Sequence, residues 1–175
     1  MTFQQFYTTL ENHLPQSTGT ERQQWVQTII ENDFDILELS SLIDQEPKIA
    51  TRFLWILTGI AMQQPQKLHA VLPALFEKSK HITHVDMQAS FANYWRFCGV
   101  PLENEAEAID LLFHWLQSAE TNVTIKSRAL FVLSDLVDIY PDLKNELRLS
   151  IEDQLDKNSN DFKKRALKIL KKITD

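Results

Sequence analysis

Apolar residues along this chain return every three to four positions, the spacing of amphipathic helices rather than strands. In "EPKIATRFLWILTGIAMQQP", from Glu46, residues Ile49, Phe53, Ile56, Leu57 and Ile60 share one stripe. Pro47 suits the first turn of that helix, where a missing N–H costs nothing. Pro65 opens the next, which sets Leu68, Val71, Leu72, Leu75 and Phe76 on one face. Continued to the end, the pattern predicts paired helices over 35–44 with 47–63, 66–80 with 86–99, 103–119 with 123–140, and 142–156 with 160–174. Two further amphipathic stretches, 2–14 and 21–33, are separated by the breaker "PQSTG" and read as an N-terminal cap or a degenerate repeat.

The second helices repeat one another. "EPKIATRFLWILTGIAMQQP" from Glu46 aligns without a gap on "NVTIKSRALFVLSDLVDIYP" from Asn122, an offset of 76 that places Arg52 on Arg128, Leu57 on Leu133 and Pro65 on Pro141. Half-way between, "DMQASFANYWRF" puts Met87 and Phe91 where Ile49 and Phe53 stand, and "FKKRALKIL" from Phe162 is a fourth copy, so the period runs 38, 38, 37. A helix pair cannot bury its own apolar face; stacked pairs can, and each then needs the same interface residues. Ala129 and Ala166 are expected to allow close helix approach, Leu130 and Leu167 to fill the core, and the recurrent Arg52, Arg128 and Arg165 to reach an acid or a helix-end carbonyl of the adjoining pair.

The segments "PKIATRFLWIL", "TIKSRALFVL" and "DFKKRALKIL" resemble the HEAT-repeat branch of the armadillo-like α-solenoid superfamily, over roughly residues 35–175. The second helix of such repeats opens with a residue such as Pro, then Val or Ile, an Arg, and an Ala-rich apolar stripe. The middle copy departs from this outline, with Ser90 in place of the Arg and bulky Tyr94 and Trp95 after it. The resemblance implies an all-α chain: a single domain over 1–175, an α-α superhelix of about four helix pairs behind an N-terminal cap (1–33), right-handed and slightly curved, with the second helices lining the concave side.

Composition narrows the function classes. Three glycines and six prolines argue against a turn-rich β protein and supply no phosphate-binding loop. No apolar run is long enough to span a membrane, the N-terminal "MTFQQFYTTLENHL" does not read as a secretion signal, and the default location is cytoplasmic. The net charge is −6, yet residues 156–175 hold seven basic residues against three acids. The acidic remainder is the opposite of what a phosphate-tracking surface needs. The basic last helix could lie on an anionic membrane, but its apolar residues match the core positions of the other copies, which favours a capping helix.

Candidate chemistry is sparse. "HITHVD" brings His81, His84 and Asp86 close in sequence, without an assignable fourth ligand; Asp86 reads equally as a helix N-cap. His114, in "LLFHWLQ", reads as a core or edge histidine, and Cys98, in "YWRFCGV", as a protonated, inert thiol. The Gly-Ser-Ser-x-Met-Pro loop of the all-helical lyases is absent. No catalytic set, cofactor motif or metal set emerges, and the chain reads as a non-catalytic scaffold for a protein or peptide partner. The alternative, a DNA-binding or DNA-repair protein of the HEAT-like alkylation-repair glycosylase type, meets the acidic charge balance as its obstacle.

One further pattern concerns where a partner would bind. With the apolar stripe of 47–63 claimed by the core, Thr51, Trp55, Thr58 and Met62 fall on the opposite face. The repeat carries Trp55 to Asn93, Phe131 and Lys168, with Ser127 and Ser134 flanking Phe131. Trp55, Asn93, Phe131 and Lys168, with Arg52 and Arg128 beside them, are therefore the expected partner groove. The competing expectation is that Trp55 and Phe131 pack against the N-terminal helices or join two copies of the chain in a homodimer.

Overall fold

The computed structural model describes residues 1–174, and every regular element among them is helical. The α-helices are α1 (Phe3–His13), α2 (Gly19–Glu31), α3 (Ile36–Leu39), α4 (Pro47–Gln63), α5 (Gln66–His69), α6 (Leu72–Ser79), α7 (Val85–Cys98), α8 (Glu105–Gln117), α9 (Val123–Ile139), α10 (Lys144–Gln154) and α11 (Asn160–Thr174). Single 3₁₀ turns cover Leu14–Gln16, Ser40–Asp44, Leu102–Asn104 and Pro141–Leu143.

Local chemistry sets the helix ends. Thr2 with Gln5, and Thr18 with Glu21, form capping boxes at α1 and α2, each pair bonding the other's backbone N–H. Pro47 occupies the first turn of α4 as expected. Gly99 ends α7 at φ 80°, a conformation that favours glycine. The helix expected over 66–80 is two helices, α5 and α6. Pro73 has no N–H to donate to the carbonyl four residues back, so the chain breaks at Ala70–Val71 and restarts with Pro73 in the first turn of α6. The stretch 35–44 is likewise one α turn running into a 3₁₀ turn.

The contacts divide the chain into two compact units, Met1–Glu103 and the residues from Asn104 on. In the first, α4 packs against α2 and α7 and against the 3₁₀ turns at Leu14–Gln16 and Ser40–Asp44. Phe53, Leu54, Ile56, Leu57 and Ile60 are fully buried there. A Cβ on Gly59 would stand 2.7 Å from Val26 Cγ2, so the glycine is what lets α2 lie this close to α4. Tyr94 and Trp95, which break the repeat pattern, are core residues: the Phe76–Trp95 and Phe91–Tyr94 ring centroids lie 6.0 and 5.7 Å apart.

In the second unit α9 packs on α8 and α11, and α10 on α8 and α11. Ala129, Leu130, Leu133 and Ala166 are fully buried, in the roles the repeat predicts. Leu167 does not fill the core: it is 45% exposed. Its helix buries the narrow stripe Phe162, Ala166, Ile169 and Ile173 against α9 and α10, and position 167 lies beside that stripe. Of the two expectations for His114, the core one fails: the side chain faces solvent on α8.

The supposed open face of the second helices is narrower than expected. Thr51 and Thr58 on α4, and Ser127 and Ser134 on α9, are all buried. Neighbouring helices flank α4 and α9 on more than one side, and these small polar residues fall under the flanks rather than in solvent.

Several of the cross-helix polar contacts within the units share one separation. Tyr7–Ser41, Glu11–Gln45, Asp33–Lys67, Asp44–Lys78 and Asp138–Lys172 each join residues 34 apart. The Arg52 guanidinium and the Lys172 ammonium each reach back 38 residues, to the carbonyls of Leu14 and Ser134. Each exposed ion pair of this kind contributes about 0–1 kcal/mol. The bulk of the stability lies in the apolar stripes beneath them.

Candidate functional site

The N-terminal half of α4 presents Lys48, Arg52 and Trp55 on one face at i, i+4 and i+7, with Thr51 beside them. The start of α7 supplies His84 and Asp86 opposite. Together with Pro47 these residues line a cleft of about 300 Å³ in the first unit. Neither α4 nor α7 has a side-chain cap at this end. Asp86 is not the cap of α7 but lies in its first turn: the helix begins at Val85 with His84 as N-cap, and the carboxylate sits where the helix dipole favours negative charge.

Arg52 is anchored from below. Its Nη1 donates to the carbonyl oxygens of Leu14 and Ser17 at 2.9 and 3.0 Å, closing the end of the 3₁₀ turn after α1. This is the helix-end carbonyl of an adjoining element that the recurrent arginine was expected to reach. Arg22, on α2, bonds the same Ser17 carbonyl and the Ser17 hydroxyl, and its guanidinium carbon lies 4.7 Å from the centroid of the Trp55 ring. Partial burial, and then the nearby Arg52 charge, hold the Arg22 guanidinium below its ordinary pKa. Trp55 thus meets an N-terminal helix through Arg22 and still remains 44% exposed.

Thr51 is the odd member. It is 7% exposed, lines the cleft, and its hydroxyl has no hydrogen-bond partner among the described residues. Nearly all buried hydroxyls are paired. Thr58, two turns on, shows the usual solution by donating to the Leu54 carbonyl.

The other expected groove residues are placed separately. Asn93 is half-buried on α7, Arg128 and Phe131 are half-buried on α9, and Lys168 is exposed on α11. Of the expected set, Trp55 and Arg52 share the cleft; Lys48, Thr51, His84 and Asp86 join them. The positions of Lys48 and Thr51 relative to Arg52 were readable from helical spacing. The approach of Arg22 and of the α7 N-terminus was not, because both depend on tertiary packing.

The second unit has its own polar cluster. Gln117 donates to the Ser150 hydroxyl at 2.8 Å, and the buried Lys126 ammonium donates to Gln154 Oε1 at 2.6 Å. Burial lowers the Lys126 pKa. A shallow cleft beside it is lined by Gln117, Asn145, Glu146, Leu149, Ser150 and Asp153. On α11, Lys163 pairs with Asp156 and Lys172 with Asp138, while the apolar stripe is spent on α9 and α10.

Burial pushes the Cys98 thiol up to about 12, and its Sγ donates to the Tyr94 carbonyl, so the thiol is protonated and inert. His81, His84 and Asp86 are exposed, and the described residues contain no group of three or more His, Cys, Asp or Glu placed to hold a metal ion. Among the described residues no helix is long and apolar enough to cross a membrane. No family model, curated protein or solved structure matches this chain.

Proposed function

We propose that this chain is a HEAT-like α-solenoid of about four helix pairs behind an N-terminal helical cap, acting as a non-catalytic scaffold that binds a protein or peptide partner along its second helices. Two lines of support converge on this reading. Cross-helix bonds within each unit recur at separations of 34 and 38 residues, close to one sequence period, as neighbour-on-neighbour stacking would give. The observation that carries the binding role is Trp55: a large aromatic, 44% exposed, in a cleft with Arg52 and Lys48 beside it. Exposed Trp and Arg are the side chains that most often anchor an interface.

The test is a pull-down from the native cell with the parent chain and a Trp55→Ala, Phe131→Ala double variant. The variant is expected to stay folded, with a stability loss of about 1–3 kcal/mol because Phe131 is half-buried and Trp55 stacks on Arg22, and to lose the partner. Unfolding of the variant, or undiminished capture, overturns the reading. Retention on a DNA or heparin column that weakens steeply with salt would favour the DNA-repair alternative instead.

A further inference from the structure

The first unit holds seven basic residues against eleven acidic ones, and its basic residues are not spread evenly. Lys67, Lys78 and Lys80 are paired with Asp33, Asp44 and Glu77. Lys48, Arg52 and Arg22 form no ion pair among the described residues, and all three converge on one place: Lys48 and Arg52 line the cleft, and Arg22 stacks on its tryptophan. Arg52 donates through Nη1 alone, to two backbone carbonyls, so the rest of its guanidinium fork remains for a ligand. At the cleft wall the Thr51 hydroxyl, with no partner, has a proton to give. An acidic body that pairs its other lysines but leaves these cations together, around a half-exposed aromatic, has kept a local site for negative charge.

We propose that this cleft is a carboxylate-recognition site that takes a Glu or Asp side chain of an acidic peptide segment. The carboxylate sits between Lys48 and Arg52 over the Thr51 hydroxyl, and an adjoining apolar residue lies against the Trp55 indole. A planar carboxylate matches the guanidinium fork. The site's size, about 300 Å³, suits one or two side chains. Asp86 also lines the cleft and repels any anion, but the three cations outnumber it, which leaves room for one carboxylate, whereas a long polyanion would meet the surplus of acids around the site. This assignment rests on the peptide-scaffold reading above and specifies the chemistry of the partner.

The experiment is a titration of the full chain followed by two-dimensional NMR at the Trp55 indole N–H, assigned with Trp55→Phe. Four probes are compared: an end-capped peptide of alternating Leu and Glu, its Leu and Gln counterpart, inorganic phosphate, and a short DNA duplex. The Glu peptide is expected to move the Trp55 signal to saturation, and the Gln peptide to leave it in place. Lys48→Gln and Thr51→Val are each expected to weaken binding about tenfold. Both should keep the parent's melting temperature, since Lys48 is exposed and valine replaces a hydroxyl that has no partner. Equal binding of the Glu and Gln peptides, tighter binding of phosphate or duplex, no saturation by any probe, or parent-like affinity in both variants overturns the proposal. If the pull-down partner is captured through Trp55 and Phe131 while no Glu peptide binds, the carboxylate assignment falls and the scaffold reading stands. If the Glu peptide binds but the double variant still captures the partner, the reverse holds.

Discussion

Leu133 and Leu167 illustrate what a repeat conveys residue by residue. Both are apolar positions of the Arg-Ala-Leu copies, yet Leu133 is fully buried and Leu167 is 45% exposed. Leu133→Ala should cost about 2–5 kcal/mol, as cavity-forming leucine truncations do. Leu167→Ala should cost less, about 1 kcal/mol, because nearly half of its surface stays in water and its removal leaves no enclosed cavity. Urea melts of the two variants check this, and equal losses would show that position 167 is covered. The sequence carried the core positions of α4 and α9 because an apolar stripe is a one-dimensional pattern. It did not carry the exposure of Leu167 or the burial of Thr51 and Thr58, since these depend on how many helices flank the one in question. The cleft followed the same rule. Arg52 and Trp55 share one helix and were named from the repeat, whereas Arg22 and His84 arrive from other helices and were not legible.

At the scale of elements, helix existence was readable throughout and helix integrity was not. The breaks at Ala70–Val71 and after Leu39 fall inside stretches whose apolar spacing is uninterrupted. Periodicity reports which side is buried, while at Ala70–Val71 the missing N–H of Pro73 decides that the hydrogen-bond ladder is interrupted. Gly59 shows the complementary case, a residue of low helix propensity that fits its helix to a neighbour. Gly59→Ala would gain up to about 1 kcal/mol of helix propensity. It would also push a methyl group to 2.7 Å from Val26 Cγ2, on a stiff β-branched side chain. Overpacking of this kind costs about 1–3 kcal/mol, so net destabilisation is expected in a thermal melt. A rise in melting temperature would mean that α2 and α4 separate freely.

Across the whole chain, electrostatics set a pH dependence. Hydrogen bonds from the Thr18 backbone and side chain hold Glu21 below its ordinary 4.5, and the Lys67 and Lys163 ammonium groups hold Asp33 and Asp156 below 3.8. Asp153 is lowered in the same direction, by Lys157 and then Gln154. Groups whose folded pKa is depressed contribute stability that is fully present above their unfolded values and is lost as pH falls through the folded ones. The melting temperature should therefore be flat above about pH 5 and fall progressively below about pH 4. A melting temperature that rises on acidification would contradict these pairings. These carboxylates are solvent-exposed, so added salt should shrink the effect.

The short separation of the cross-helix bonds also bears on how the chain finds its structure. Those described above join residues 28 to 38 apart, and none requires the two ends of a long segment to meet. Closing a loop costs entropy that grows with its length, and chains rich in short-range contacts cross their folding barrier quickly. A helix pair and its neighbour can therefore form before distant parts of the chain are ordered. Either unit can nucleate first, and an interruption late in synthesis would leave the completed early helices already paired.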